Sequence, residues 1–239
     1  TEYVFHTGTS GNMQCAFDPN TAGKFVITYM DASNSYHGMA VVGTISGTDI
    51  SFNTKYTFNA GATEMPTLAF NPSVAGQFVV VYKDEANSNQ GTAIIGTISG
   101  TSISFGSEAV FDTSTISRRM SPAFDANTSN KLVITYSDNG NSFHGTAIVG
   151  TVSGASLSFG TAAVFNAANT NQIHASFDPN TAGKFVVTYR DDGNSYVGTA
   201  IIGIISGTSI SFGSEVVFYS AQVNENTTCS FDPINANQI

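Results

Sequence analysis

The segment YRDDGNSYVGTAIIG, residues 189–203, sets carboxylate and amide oxygens beside a glycine. Such oxygens are the hard ligands a calcium ion takes. The same phrase occurs four times, as YMDASNSYHG, YKDEANSNQG, YSDNGNSFHG and YRDDGNSYVG. Aspartate recurs at Asp31, Asp84, Asp138 and Asp191, and asparagine at Asn34, Asn87, Asn141 and Asn194. Serine follows each asparagine, and glycine closes each phrase at Gly38, Gly91, Gly145 and Gly198. A calcium loop concentrates several carboxylates with a closing glutamate, whereas each phrase here repeats a single carboxylate. A tight turn needs the fixed positions more directly. Asp accepts backbone N–H groups in an Asx-turn, Asn tolerates positive φ, and Gly adopts it freely. These Asp and Asn residues are therefore assigned to turns, and no metal is expected.

Other reactive side chains are few. The arginines are Arg118, Arg119 and Arg190, two of them adjacent, which is a poor stock for a multi-arginine clamp on a carboxylate substrate. The histidines, His6, His37, His144 and His174, show no H-E-x-x-H spacing. His37 and His144 hold equivalent places in two of the phrases. No G-x-S-x-G elbow is present. Acidic residues such as Glu64, Asp112, Asp192 and Glu225 single out no glycosidase pair. The expectation is a protein with no catalytic residues and no cofactor.

Composition narrows the partners. Only 10% of the 239 residues are charged and the net charge is −9, with eight Lys and Arg in all, so a nucleic-acid backbone is not an expected ligand. No apolar run approaches the length of a spanning helix, and no membrane insertion is expected. Two cysteines, Cys15 and Cys229, do not make a disulfide framework; small buried apolar side chains are the simpler reading.

The phrases belong to a longer repeat. Phenylalanines at the Phe-Asp-Pro-Asn motif and its variants are Phe17, Phe70, Phe124, Phe177 and Phe231, spaced by 53 or 54 residues. A second series, Phe5, Phe58, Phe111, Phe165 and Phe218, keeps the same period. Each unit contains four segments of strand character, exemplified by ASFD, FVVTY, GTAIIGII and SISFGSEVVF, with SGTS as a hairpin turn between the last two. Apolar residues nowhere recur at helical spacing. Four short antiparallel strands at a period near fifty predict an all-β fold, a β-propeller built from four-stranded antiparallel blades of about 53 residues.

The segment SPAFDANTSNKLVITYSD and its sisters resemble the first two blade strands of the Asp-box (BNR) propellers of sialidase type. SGTSISFGSEVVF occupies the place of that family's Ser-x-Asp-x-Gly-x-Thr-Trp hairpin. The box is degenerate: Gly100, Gly154 and Gly207 stand where it carries aspartate, and Phe105, Phe159 and Phe212 where it carries tryptophan. The repeats are also similar to arrays in proteins of marine bacteria and their phages.

The expected organisation is one repeat region over 1–239. Residues 1–5 end a preceding blade; 6–58, 59–111, 112–165 and 166–218 form full repeats; 219–239 begin a fifth, so a fragment of a longer protein is expected. Within a blade, the turn after the second strand shares a face with the segment leading to the next blade. That segment is where repeats differ most: HTGTSGNMQ, NAGATEMPT, DTSTISRRM, NAANTNQIH and YSAQVNENT. The opposite face carries the near-identical SGTS and DPNTAGK turns. Binding residues gather on loops held by a rigid scaffold, which makes the varied face the candidate surface. Its candidate contacts are Lys83, Arg118, Arg119, His144, His174 and Arg190. Tyr36, Phe143 and Tyr196 are candidate stacking surfaces for sugar rings, with packing in the seam between blades as the competing role. The function expected is non-enzymatic binding of glycans or another cell-surface ligand, at an extracellular or virion surface, with self-association through open blade edges. The alternatives are a structural spacer in a fibre or adhesin and a sialidase-like glycoside hydrolase.

Overall fold

Runs such as KFVITYMD and QFVVVYKD are rich in β-branched and aromatic residues and form strands buried on both faces. A computed structural model describes residues 2–232, apart from 117, 119, 225 and 226; Arg119 and Glu225 thus lie outside the described residues. Among the described residues there is no α-helix, only a short 3₁₀ turn at Asn139–Asn141. The chain divides into two units, Thr1–Thr113 with Ser153–Leu157, and Ser114–Val152 with Ser158–Ile239.

The first eight strands are β1 (Ser10–Phe17), β2 (Lys24–Asp31), β3 (His37–Ser46), β4 (Asp49–Phe70), β5 (Gln77–Asp84), β6 (Gln90–Ser99), β7 (Ser102–Phe105) and β8 (Ala109–Thr115). They form one antiparallel sheet in chain order from β1 to β7, with β8 also on β6. The second sheet holds β9 (Ser121–Phe124), β10 (Lys131–Asp138), β11 (His144–Ser153), β12 (Ser156–Phe159), β13 (Ala163–Phe177), β14 (Lys184–Asp191), β15 (Val197–Ser206), β16 (Ser209–Phe212) and β17 (Val216–Gln222). Its order runs β16-β15-β14-β13-β11-β10-β9, with β12 on β11 and β17 on β15.

Each sheet contains two four-stranded meanders joined by one long strand. The first part of β4 pairs with β3 and its end pairs with β5, while β13 serves β11 and β14 in the same way. The segments NAGATEMPT and NAANTNQIH, expected as loops, are therefore extended strand. Register shifts interrupt them between Glu64 and Thr67 and between Asn171 and His174, where Met65 and Gln172 take φ +52°. Each segment alternates enough to pair at both ends, and one extra residue is accommodated as a bulge. Asn12 does the same in β1, with φ +50°.

Neighbouring meanders pack through aromatic rings. Phe58 sits 5.2 Å from Tyr82 in the first unit, and Phe165 sits 5.2 Å from Tyr189 in the second. Phe5 repeats the contact on Tyr29 at 5.3 Å. Among the described residues no ring covers Phe218 in this way, and it is 55% exposed, with exposed Val216, Val217 and Tyr219 beside it.

The monotonous turns bind one repeat to the next. Asp18 Oδ1 accepts the Asn20 N–H at 2.9 Å, and its Oδ2 accepts the Gly76 N–H at 3.0 Å. Asp125 repeats both bonds, with Asn127 at 2.8 Å and Gly183 at 2.7 Å. Asn20 and Asn127 add side-chain bonds to the backbone of the following repeat, at Pro72 and Asp178. In these two turns the repeated residues have two jobs, closing their own turn and holding the next repeat.

The glycines that close the recurring phrase do not turn the chain. Positive φ falls instead on Ser35 and Tyr36, Ser88 and Asn89, Ser142 and Phe143, and Ser195 and Tyr196. Gly145 lies within β11, where a Cβ would stand 2.4 Å from Phe165 Cε2, so the packed ring is what requires glycine there. Cys15 is exposed rather than buried, and both it and Cys229 are free thiols.

Candidate functional site

The turn after each central strand and the segment leading to the next repeat are hydrogen-bonded together. Tyr36 O accepts the Thr63 N–H at 2.9 Å, Phe143 O the Thr170 N–H at 3.0 Å, and Tyr196 O the Val223 N–H at 2.8 Å. The varied residues thus share one edge within each unit. The recurring aspartates brace their own turns: Asp31 Oδ1 accepts the Ser33 N–H at 3.0 Å, Asp138 Oδ1 the Asn141 N–H at 3.1 Å, and Asp191 Oδ1 the Gly193 N–H at 3.1 Å. Asp84 Oδ1 instead accepts the Asn59 side-chain amide at 3.2 Å. Asn34, Asn87 and Asn194 bond through their backbones to the aspartate before them, and no acidic-histidine-cysteine group suited to a metal occurs among the described residues.

Two aromatic candidates project into solvent. Tyr36 is 51% and Tyr196 is 44% exposed, so neither fills a seam between repeats. Phe143 is half-buried because the Arg118 guanidinium lies over its ring, 4.6 Å from the centroid. Arg190 covers one side of Tyr196 in the same manner at 5.4 Å.

Asp192 draws the two arginines together. Its Oδ1 and Oδ2 accept Arg190 Nε and Nη2 at 2.6 and 3.2 Å, a bidentate fork. Arg118 Nη1 lies 3.7 Å from the same carboxylate and donates to Asn169 Oδ1 and, at 2.6 Å, to Thr170 O. Burial presses the Arg118 pKa below its ordinary value; Asp192 opposes this and Arg190 adds to it. The pairing of arginines distant in sequence was not legible from their number, and Asp192 and Asn169 were missed as partners. The doubled aspartate of YRDDG was the available signal.

Lys83 and His174 are engaged by other side chains or backbone. Lys83 is bound by Glu64 at 2.7 Å, directly across from it in register, and by Glu85 at 3.2 Å. Burial works against its charge, but those bonds hold its pKa above the ordinary value. His174 turns to Cys229, whose N–H it accepts on Nδ1 at 3.3 Å, and burial lowers its pKa. His144 opens β11 opposite Asp138 and Asn169 and is half-buried. Among the described candidates, the structure brings Arg118, Arg190, Phe143 and Tyr196 together through Asp192 and the two ring stacks.

Neither a family model nor a curated protein sequence matches the chain. Solved structures are similar in fold. Sqt1 from Chaetomium thermophilum matches with a TM-score of 0.55 and 11% identity, over 85% of this chain and 45% of that one. AofleA from Arthrobotrys oligospora matches with a TM-score of 0.55 and 9% identity, over 89% of this chain and 57% of that one. The chain spans about half the length of the solved structures it matches.

Proposed function

We propose that each four-stranded meander is a β-propeller blade and that the protein is a non-enzymatic binder of surface glycans, working through the varied face at an extracellular or virion surface. The period of 53 or 54 residues and the meander pairing support the blade reading. One observation carries the functional reading. Tyr36, Phe143 and Tyr196 each hold φ +63°, a conformation that costs a bulky residue about 1–2 kcal/mol. Asn89 fills the equivalent place in the second repeat at φ +61°, so the turn itself does not require a ring. Nor does the core, since Tyr36 and Tyr196 face solvent. Aromatic faces held outward on rigid turns suit the apolar face of a sugar ring, and the adjacent polar groups suit its hydroxyls.

The test is a glycan-array screen of the protein and of the double variant Tyr36→Asn/Tyr196→Asn. The expected result is selective binding that falls at least about tenfold in the variant, the scale of one lost stacking platform. Binding untouched by the double substitution, or silence from a folded protein, would overturn the reading.

A further inference from the structure

The rings that join neighbouring meanders within each unit follow one rule. Each lies against the tyrosine of the next central strand and the phenylalanine of the next short strand. Phe58 meets Tyr82 at 5.2 Å and Phe105 at 6.0 Å; Phe165 meets Tyr189 at 5.2 Å and Phe212 at 5.8 Å. Both rings are 5% exposed. Phe218 is aimed in the same way. A Cβ at Gly198 would stand 2.8 Å from its Cζ, as one at Gly38 would stand 2.3 Å from Phe58 Cε2. Its other side is open to solvent, exposed Val216, Val217 and Tyr219 extend the patch along β17, and a cavity of about 500 Å³ opens beside Phe218 and Tyr219. A contiguous apolar patch of this kind marks a docking surface.

The repeats say what fits it. The same ring set recurs at the start of the chain, where Phe5 lies 5.3 Å from Tyr29 and 5.8 Å from Phe52. Phe5 and Phe218 are equivalent, since TEYVF at residues 1–5 and SEVVF at residues 214–218 are one segment of the repeat. They are held differently. Phe218 lies within β17, whereas Phe5 precedes β1 and belongs to no strand. Phe5 is only half-buried, and its neighbour His6 fastens the segment, with Lys55 Nζ on Nδ1 at 2.7 Å and Asp31 Oδ1 3.3 Å from Nε2.

We infer that Phe218 of one copy docks on the Tyr29–Phe52 pair of a second copy and displaces that copy's own Phe5. The contact is head-to-tail and joins two different surfaces. It buries a strand that otherwise shows four apolar side chains to solvent, and it costs the His6 contacts, so association grows with protein concentration. The inference stands independently of glycan binding.

The experiment is sedimentation equilibrium of the wild-type protein, Phe218→Ala, Phe5→Ala and the double variant, with thermal unfolding run alongside. The expected result is a wild-type mass that rises with concentration above the 25.0 kDa of one chain. Phe218→Ala abolishes association. Phe5→Ala vacates the Tyr29 site and tightens association about tenfold or more, the scale of one aromatic contact and its buried area. The double variant stays a single chain. A wild-type mass of one chain up to the solubility limit overturns the inference. Association that Phe218→Ala removes and Phe5→Ala leaves unchanged, or weakens, overturns Tyr29 as the docking site. Where a variant fails to fold, a synthetic peptide of residues 214–222 decides on the wild-type protein. That peptide should dissociate the assembly and its Phe218→Ala form should not; equal effects of the two peptides contradict the proposal.

Discussion

Asp125 Oδ2 accepts the backbone N–H of Gly183 at 2.7 Å, across 58 residues of chain. Asp18 and Gly76 form the same bond in the other unit, and both carboxylates are buried. Removing Asp125 strands a buried N–H, at a cost of about 2–3 kcal/mol for a bond to a charged group. Asp125→Ala should lower the denaturant midpoint accordingly. A change below about 0.5 kcal/mol, typical of an inert surface site, would show that the turns do not clamp the repeats.

A methyl group at position 145 has no room, since it would meet Phe165 Cε2 at 2.4 Å and Thr170 Oγ1 at 2.9 Å. Gly145→Ala is expected to destabilise by about 1–3 kcal/mol through overpacking. Trimming the opposing ring with Phe165→Leu should recover part of that loss in a double-mutant cycle. Additive losses would mean that the ring is not the obstacle.

Tyr189 donates to Glu215 at 2.7 Å and Tyr82 to Glu108 at 2.6 Å, and both phenols are buried. Burial first, then the glutamate bonds, push both pKa values far above the ordinary 10.0. Burial likewise raises Tyr29 to about 12. A folded pKa above the unfolded one gives stability that is complete below pH 10 and lost as pH rises toward the folded value. Unfolding should therefore accompany phenolate absorbance as pH climbs above about 10. Full ionisation of every tyrosine in a protein that stays folded would contradict the burial.

Tyr196→Asn separates the ring's function from its structural role. Asparagine accepts the left-handed turn conformation more readily than tyrosine. Stability should hold or rise by a few tenths of a kcal/mol up to about 1 kcal/mol, read as the thermal midpoint. A clear fall would assign the ring a packing role that its exposure denies.

The repeats made the strand content legible. Two phenylalanine series at one period and runs such as FVVTY specify strands wherever they occur. The junctions were less legible. NAGATEMPT and NAANTNQIH contain turn-prone Asn and Gly, yet pairing across to Lys83 and Arg190 keeps them extended, and the excess residue goes into a bulge. Tertiary pairing overrode local propensity there. Gly145 was misread for a related reason: glycine in a turn-like phrase suggests positive φ, but its neighbour Phe165 decides. For the site, exposed tyrosines could be named from their positions. The meeting of Arg118 with Asp192 depends on side-chain reach across a sheet, which spacing alone does not encode.

The most direct test of the varied face as the recognition surface is an amide chemical-shift titration of labelled protein with a glycan selected on the array. Shifts should concentrate at Ser195–Val197, around the exposed ring of Tyr196, and at Asn169–Asn171, which pair with Asp191 and Arg190 and hold the Asp192–Gly193 backbone. Shifts confined to the Asp125–Lys131 and Asp178–Lys184 turns, on the clamping face, would contradict the account.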